Sequence, residues 1–277
     1  MEKIENVCPS LIGFVPRLSF PVPFLTMSFP NVSLPPVDTV DSIAFATKRH
    51  AATKSWMAKV IAAFKSPKFA VSDVMTLHAT VPFGPLATAK AGFVLASTNI
   101  GYTKADGSAG VVPGVAFLRG SSVAILVILR CGTNEHVVLT IQPRVPIADP
   151  AYIETPAGMM DGDSNFAGKA ALELKQETGL VIGESEMRRL GKIVPSAGGC
   201  DETIELFLYK ADVSAEKLAE LQGAATGELS ENEDIVLAVR PLRDVRAAIL
   251  DGAITDAKLV SALYYYDCRG DTSATTA

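Results

Sequence analysis

Two glutamates four positions apart are the side chains of this sequence with the clearest potential for chemistry. Glu173 and Glu177 lie in an alanine-rich segment that ends at Gly179. On a helix, side chains at positions i and i+4 point to the same side, and Gln176 adds an amide oxygen nearby. Such an oxygen-rich face suits a hard divalent cation. A cation of this kind can neutralise a diphosphate and acidify a bound water, so the pattern indicates hydrolysis of a phosphoric anhydride. A solvated helix face is the alternative.

The two glutamates belong to a longer pattern that starts at Gly158 and reads GMMDGDSNFAGKAALELKQETGL. This segment resembles the Nudix box: G, five residues, E, seven residues, then R-E-U-x-E-E-x-G-U, where U is aliphatic. Gly158 and Gly179 take the two glycine positions without a gap. Glu173 falls on the glutamate after the box arginine, and Glu177 falls on the last glutamate.

Three positions depart from the box. Ser164 replaces the first glutamate, Leu172 replaces the arginine, and Gln176 replaces the first glutamate of the E-E pair. The box arginine orients the neighbouring glutamate through a salt bridge, which Leu172 cannot form. Gln176 offers a neutral oxygen that binds a cation more weakly. We therefore expect an active site with fewer or looser metals.

Segments on both sides of the box resemble ADP-ribose and ADP-sugar diphosphatases, and the plant-type ADP-sugar enzymes most closely. These segments are Pro113–Arg119, Val138–Pro146, Pro195–Glu202, Ser230–Val236 and Thr255–Lys258. The resemblance implies that Glu233 of the acidic loop is a third metal ligand. It also implies that Glu231 is the general base and that the Ala157 carbonyl is a further ligand. Gln176 remains a candidate ligand through its side-chain oxygen.

Three further residues are candidates for substrate binding. Arg144 follows a predicted strand and can grip a phosphate with two hydrogen bonds, although an arginine covering a strand end is an equal alternative. Glu202 can contact a ribose or a metal-bound water, and an ordinary loop carboxylate is the alternative. Ser196 is the weakest of the three. The three histidines are isolated and have no ligand-like spacing: His50, His78 and His136.

The order of elements predicts an α/β fold, which the resemblance identifies as the Nudix α/β/α sandwich with a mixed sheet. We expect a loose Pro-rich segment over 1–36, a small α+β domain over 37–114 and the Nudix domain over 115–277. Ser122–Leu129 is continuously apolar and predicts a central buried strand. The box helix is expected over Asn165–Thr178, with Asp163 or Ser164 as its N-cap.

The composition argues against some classes of function and indicates the cellular compartment. The chain has 277 residues and a net charge of −5, without a long basic run, so nucleic-acid binding is not expected. No apolar run reaches the roughly 20 residues of a membrane span. Four scattered cysteines predict free thiols in a reducing compartment. We expect an intracellular protein, cytoplasmic unless the N-terminal segment directs it to an organelle.

These observations predict a Mg²⁺-dependent diphosphatase, with Mn²⁺ as an alternative metal. Its substrate is expected to be an ADP-sugar such as ADP-ribose or ADP-glucose, cleaved to AMP and a sugar phosphate. The resemblance also implies a homodimer formed through the 37–114 region. Two alternatives stay open: a catalytically impaired Nudix module that binds a nucleotide or a protein partner, and an enzyme for another dinucleotide such as NADH or a coenzyme A derivative.

Overall fold

The central feature of the fold is a mixed β-sheet built around one buried strand. The computed structural model describes residues 51–64, 68–83, 90–160, 164–227 and 234–269. Its helices are α1 (Ala51–Ala63), α2 (Phe166–Thr178), α3 (Ala215–Leu221), α4 (Leu242–Leu250) and α5 (Ala257–Arg269). Its strands are β1 (Phe69–Phe83), β2 (Lys90–Thr103), β3 (Ala109–Leu118), β4 (Ser121–Cys131), β5 (Asn134–Arg144), β6 (Asp149–Glu154), β7 (Ala157–Met159), β8 (Arg188–Ile193), β9 (Thr203–Asp212), β10 (Ala225–Thr226) and β11 (Ile235–Pro241).

The larger sheet has the order β10-β11-β5-β4-β9-β8, with β6 paired to β5 and β7 paired to β4. Strand β4 lies in its middle, parallel to β9 and antiparallel to β5. Every side chain from Val123 to Leu129 is fully buried, as expected for a strand covered on both faces. The predicted central strand is therefore confirmed.

The two faces of β4 pack against different helices. Val123, Ile125 and Val127 share a core cluster with Leu174 of α2, whereas Leu126 and other alternate residues of β4 pack against α4 and α5. This alternation follows from the two-residue period of a strand. Helices therefore lie on both faces of a mixed sheet, and the predicted α/β/α sandwich is confirmed.

The box helix α2 begins one residue later than predicted. Asn165 is its N-cap and accepts a hydrogen bond from the Gly168 N–H at 3.0 Å. The prediction of Ser164 is therefore wrong, and Asp163 lies outside the residues that the structure describes. Aspartate, serine and asparagine cap helices about equally well, so residue type alone did not fix the position. Gly179 ends the helix with a φ of +72°, as predicted.

A separate three-stranded antiparallel sheet, in the order β1-β2-β3, precedes the larger one. Lys104–Gly107 forms the predicted hairpin turn, closed by the Lys104 N–H donating to the Ser108 carbonyl at 2.8 Å. Trp56 of α1 packs against the core of this sheet. Strand β3 runs across position 114, and the proposed boundaries at 36 and 114 stay predictions.

Helix α3 was not predicted from the sequence, although Ser214 caps it by accepting from the Lys217 N–H at 3.2 Å. The cysteines Cys131, Cys200 and Cys268 are free thiols. Among the residues that the structure describes, none of the helices is long and apolar enough to cross a membrane.

Candidate active site

Both glutamates of the box helix face the short strand β7. Glu177 is only 3% exposed, and its Oε2 accepts a hydrogen bond from the Ala157 N–H at 2.9 Å. The backbone carbonyl of Glu177 accepts a second hydrogen bond, from Thr226 Oγ1 at 2.6 Å. The last turn of the helix is thus fixed to β7 on one side and to β10 on the other.

Gly158 makes room for the other carboxylate. A Cβ added at Gly158 would lie 1.8 Å from Glu173 Cδ, and 2.1 and 2.2 Å from the two carboxylate oxygens. Any larger residue at this position would therefore expel Glu173 from its place. The first glycine of the box is explained by this close approach, and Glu173 and Glu177 lie together along β7 as the spacing predicted.

The residues at the departing positions of the box have different surroundings. Leu172 is 46% exposed, Ser164 is exposed, and Gln176 is partly buried. Glu173 is nevertheless paired, because Lys169 Nζ lies 2.6 Å from its Oε1, one helical turn earlier. Both side chains of this pair are largely buried.

The donor set of this region fits a hard divalent cation. Glu173 and Glu177 supply carboxylate oxygens, the donors that Mg²⁺ and Mn²⁺ prefer, and the Glu173 carboxylate occupies the space that Gly158 leaves by lacking a Cβ. Within the described ranges of the chain, no three His, Cys, Asp or Glu side chains converge to hold a metal. The predicted third ligand, Glu233, and the predicted base, Glu231, lie outside those ranges.

A second cluster lies on the other side of β7, around Glu202. Ser122 Oγ donates to Glu202 Oε1 at 3.0 Å, and Ser122 is the sheet partner of Met159. Arg119 Nε lies 3.6 Å from the same Glu202 oxygen, while Arg119 Nη2 donates to Met159 Sδ at 3.3 Å. The Arg119 guanidinium also lies 5.6 Å from the centre of the Phe93 ring. Glu202 therefore borders the strand that contacts both box glutamates.

Arg119 is a charged residue of this region that sequence reasoning did not select. Its signal was present, because it ends the PGVAFLR segment that resembles the entry to the domain. Asp201 fixes the backbone there by accepting from the N–H groups of Arg119 and Gly120 at 2.8 and 3.1 Å. Ser196, in contrast, is exposed, and its carbonyl closes the turn to Cys200 at 3.0 Å.

Arg144 is anchored by a buried carboxylate. Its Nη2 lies 2.6 Å from Glu154 Oε1, and Glu154 is only 2% exposed. The other oxygen of Glu154 accepts from Lys258 Nζ at 2.9 Å, and Lys258 also donates to Asp256 at 2.8 Å. Asp256 in turn accepts from the Thr155 N–H at 3.0 Å. The Asp-Ala-Lys motif thus joins α5 to the segment that leads into β7.

The Lys258→Met variant should be strongly destabilised. Removing the ammonium leaves Asp256 buried without its cation and leaves Glu154 with Arg144 alone. Breaking a buried ion pair in this way typically costs about 3–5 kcal/mol. The expected result is a loss of this size in the free energy of unfolding, measured by urea denaturation at neutral pH. Lys217→Met removes a lysine from the exposed pair with Glu220 and should cost less than about 1 kcal/mol. Equal losses in the two variants would contradict the network's role.

The stabilisation that Lys258 provides through its ion pairs depends on pH in a defined direction. Burial acts to lower the pKa of Lys258, but attraction to Asp256 and Glu154 outweighs it and raises the pKa above its ordinary value of 10.5. A raised pKa in the folded state means that the stabilisation is complete below pH 10.5. It is lost as the pH rises through the folded-state pKa, so measurements at neutral pH record it in full.

Comparison with known proteins finds relatives in plants and bacteria. The chloroplastic Nudix hydrolase 14 of Arabidopsis thaliana is 36% identical over 153 residues, which are 52% of this chain and 49% of that protein. The chain therefore spans about half the length of this relative. The GDP-mannose pyrophosphatase of Klebsiella pneumoniae is 30% identical over 185 residues, 64% of this chain and 86% of that enzyme.

The crystal structure of an ADP compounds hydrolase superposes with a TM-score of 0.47 at 16% identity, covering 73% of this chain and 94% of that one. No protein-family model matches the chain.

Proposed function

Since the chain belongs to the Nudix hydrolases, we propose that it hydrolyses the diphosphate bond of a nucleoside diphosphate sugar. The observation that carries this proposal is the placement of Glu173 and Glu177 side by side against Ala157 and Gly158. The preferred substrate is an ADP-sugar such as ADP-ribose or ADP-glucose. GDP-mannose is the second candidate, because it appears in the name of a relative of which this chain covers 86%.

Mg²⁺, or Mn²⁺ in its place, is the proposed cofactor. Glu173, Glu177 and Glu233 are its proposed carboxylate ligands, with oxygens from Ala157 and Gln176. When bound, the cation neutralises phosphate charge and makes water easier to deprotonate. The hydrogen bond between Thr226 and the carbonyl of Glu177 supports this ligand set, because it fixes the chain next to the box helix shortly before the acidic loop.

The other proposed roles, those of general base and of substrate binding, belong to side chains of the protein. Glu231 takes a proton from the attacking water, whose oxygen bonds to one phosphorus while the bridging P–O bond breaks. The products are a nucleoside monophosphate and a sugar phosphate. Arg144 holds a phosphate, and its fixed position on Glu154 supports this role because an anchored guanidinium loses little freedom on binding. Glu202 is proposed to contact a ribose or a metal-bound water, and Ser196 is a weaker candidate for substrate binding.

The function is tested with a substrate panel. The full chain is incubated with Mg²⁺ and ADP-ribose, ADP-glucose, GDP-mannose, NADH or a coenzyme A derivative, and nucleotides are separated by chromatography. We expect AMP from the ADP-sugars, abolished by a chelator. Release of GMP from GDP-mannose, without AMP from the ADP-sugars, would identify GDP-mannose as the substrate. Binding of these ligands without any product would support the non-catalytic module instead.

We further propose that the protein is an intracellular homodimer. Exposed apolar side chains along β3 support an interface there, since Val111 and Val115 are 64% and 55% exposed. Sedimentation velocity of the full chain should give twice the monomer mass, and a monomer at micromolar concentration would refute the dimer.

The name of the Arabidopsis relative supports an organelle as the alternative to the cytoplasm. Imaging of a fluorescent fusion to the full chain distinguishes the two locations.

A further inference from the structure

We propose that Lys169 is a positioning residue that holds Glu173 in place for the divalent cation, and so performs the task of the arginine that position 172 lacks. This proposal rests on the proposed function, because it assigns a metal-binding role to Glu173. Its basis is the ion pair between Lys169 Nζ and Glu173 Oε1 at 2.6 Å, in which the side chains are only 16% and 12% exposed.

The helix itself gains little from this lysine. Lys169 lies in the first turns of α2, where the positive end of the helix dipole disfavours a cation. The pair also has lysine before glutamate, the weaker of the two orders at i and i+4. No acidic residue lies in the first turn to offset the charge. Local helix stability therefore does not account for a lysine at this position, and its partner Glu173 does.

The Glu173 carboxylate is held in place by contacts on two sides. On one side, the carboxylate fills the space that Gly158 leaves by lacking a Cβ. On another side, the Lys169 ammonium holds Oε1. Leu172 is 46% exposed and apolar, so its side chain supplies no charge to this carboxylate. Two contacts from different elements thus fix the carboxylate before any ligand arrives, which lowers the cost of binding a cation.

A lysine at this distance has two opposite effects on a metal. Its positive charge repels the cation, whereas its hydrogen bond fixes the orientation of the ligand. Residues that orient metal ligands in this way typically change metal affinity by about 10–100-fold when they are removed. The proposal is that orientation outweighs repulsion at Glu173, so that removing the lysine weakens the site.

The test measures Mn²⁺ binding to the full chain without substrate, by titration with electron paramagnetic resonance detection of free Mn²⁺. Lys169→Met should bind Mn²⁺ at least about tenfold more weakly. Lys169→Arg should keep most of the affinity, because a guanidinium also pairs with a carboxylate. Lys175→Met, which removes an exposed lysine from the same helix, is the matched control and should bind as the unmodified protein does. Unchanged or tighter binding by Lys169→Met overturns the proposal.

A double-mutant cycle separates positioning from a general structural role. In the Glu173→Gln background, Lys169→Met should cause no further loss of Mn²⁺ affinity, since the lysine acts through Glu173. An equal loss in both backgrounds overturns the proposal. Where Lys169→Met does not fold, Lys169→Gln replaces it, with the same expected loss. Absence of turnover in every variant, with this Mn²⁺ pattern intact, would refute the proposed function and leave the role of Lys169 standing.

Discussion

A Glu177→Gln variant should lose at least about a hundredfold in turnover while keeping its fold. Removing a residue that merely orients a metal ligand typically lowers affinity or activity about 10–100-fold. Loss of Glu177, which is proposed to bind the metal directly, should therefore cost at least about the upper end of that range. Glutamine has the same shape as glutamate, and its carbonyl can still accept the hydrogen bond that Glu177 receives from Ala157. What the substitution removes is the negative charge that attracts a hard cation.

The measurement is the rate of nucleoside monophosphate release from the substrate identified in the panel, at several Mg²⁺ concentrations. Thermal unfolding of the same samples shows whether the fold is kept. Glu220→Gln neutralises an exposed glutamate of α3 and serves as the control, with unchanged turnover. A Glu177→Gln protein with the activity of the unmodified chain would exclude Glu177 from the catalytic centre.

A Gly158→Ala variant should lose most of its activity through a single added methyl group. The new Cβ would occupy the place of the Glu173 carboxylate, 1.8 Å from its Cδ. Either the glutamate swings out or β7 moves away from the helix, and both disrupt the geometry around Glu173. Overpacking of this kind typically costs about 1–3 kcal/mol in the free energy of unfolding. We expect a loss of activity larger than this loss of stability can explain.

Gly198→Ala is the matched control for this experiment. Gly198 lies in the loop before Glu202, and a Cβ added there meets nothing within 4 Å. Activity and urea denaturation of both variants are compared at a temperature where both are folded. If Gly158→Ala turned over substrate at the normal rate, the close packing of Glu173 against Gly158 would have no part in catalysis.

The sequence predicted those parts of the fold that depend on local pattern. The continuous apolar run of Ser122–Leu129 predicts burial on both faces, and β4 has it. The spacing of Glu173 and Glu177 predicts a shared helix face, because the geometry of a helix fixes it. The cap of α2 was misplaced by one residue, since three neighbouring residues of capping type compete and local pattern does not rank them.

Contacts between distant segments could not be predicted in the same way. Lys258 and Glu154 are 104 residues apart, and Ser122 and Glu202 are 80 apart. Nothing in the pattern around one member of such a pair specifies the other. Lys169 was overlooked for a different reason: a lysine four positions before a glutamate is usually a solvated pair, and only the burial of both side chains sets this one apart.

The parallel pairing of β4 with β9 also affects how the protein can be made. One edge of β4 pairs with β5 and β7, which follow it closely in sequence, whereas the other edge pairs with Thr203–Asp212, which is synthesised much later. During synthesis on the ribosome, the most apolar strand therefore keeps one row of backbone groups open for the time needed to translate about seventy residues, several seconds at typical elongation rates. An open edge of this kind invites pairing with other nascent chains. Fragments that end before β9 should accordingly accumulate in inclusion bodies, whereas the complete chain closes its own vulnerable edge.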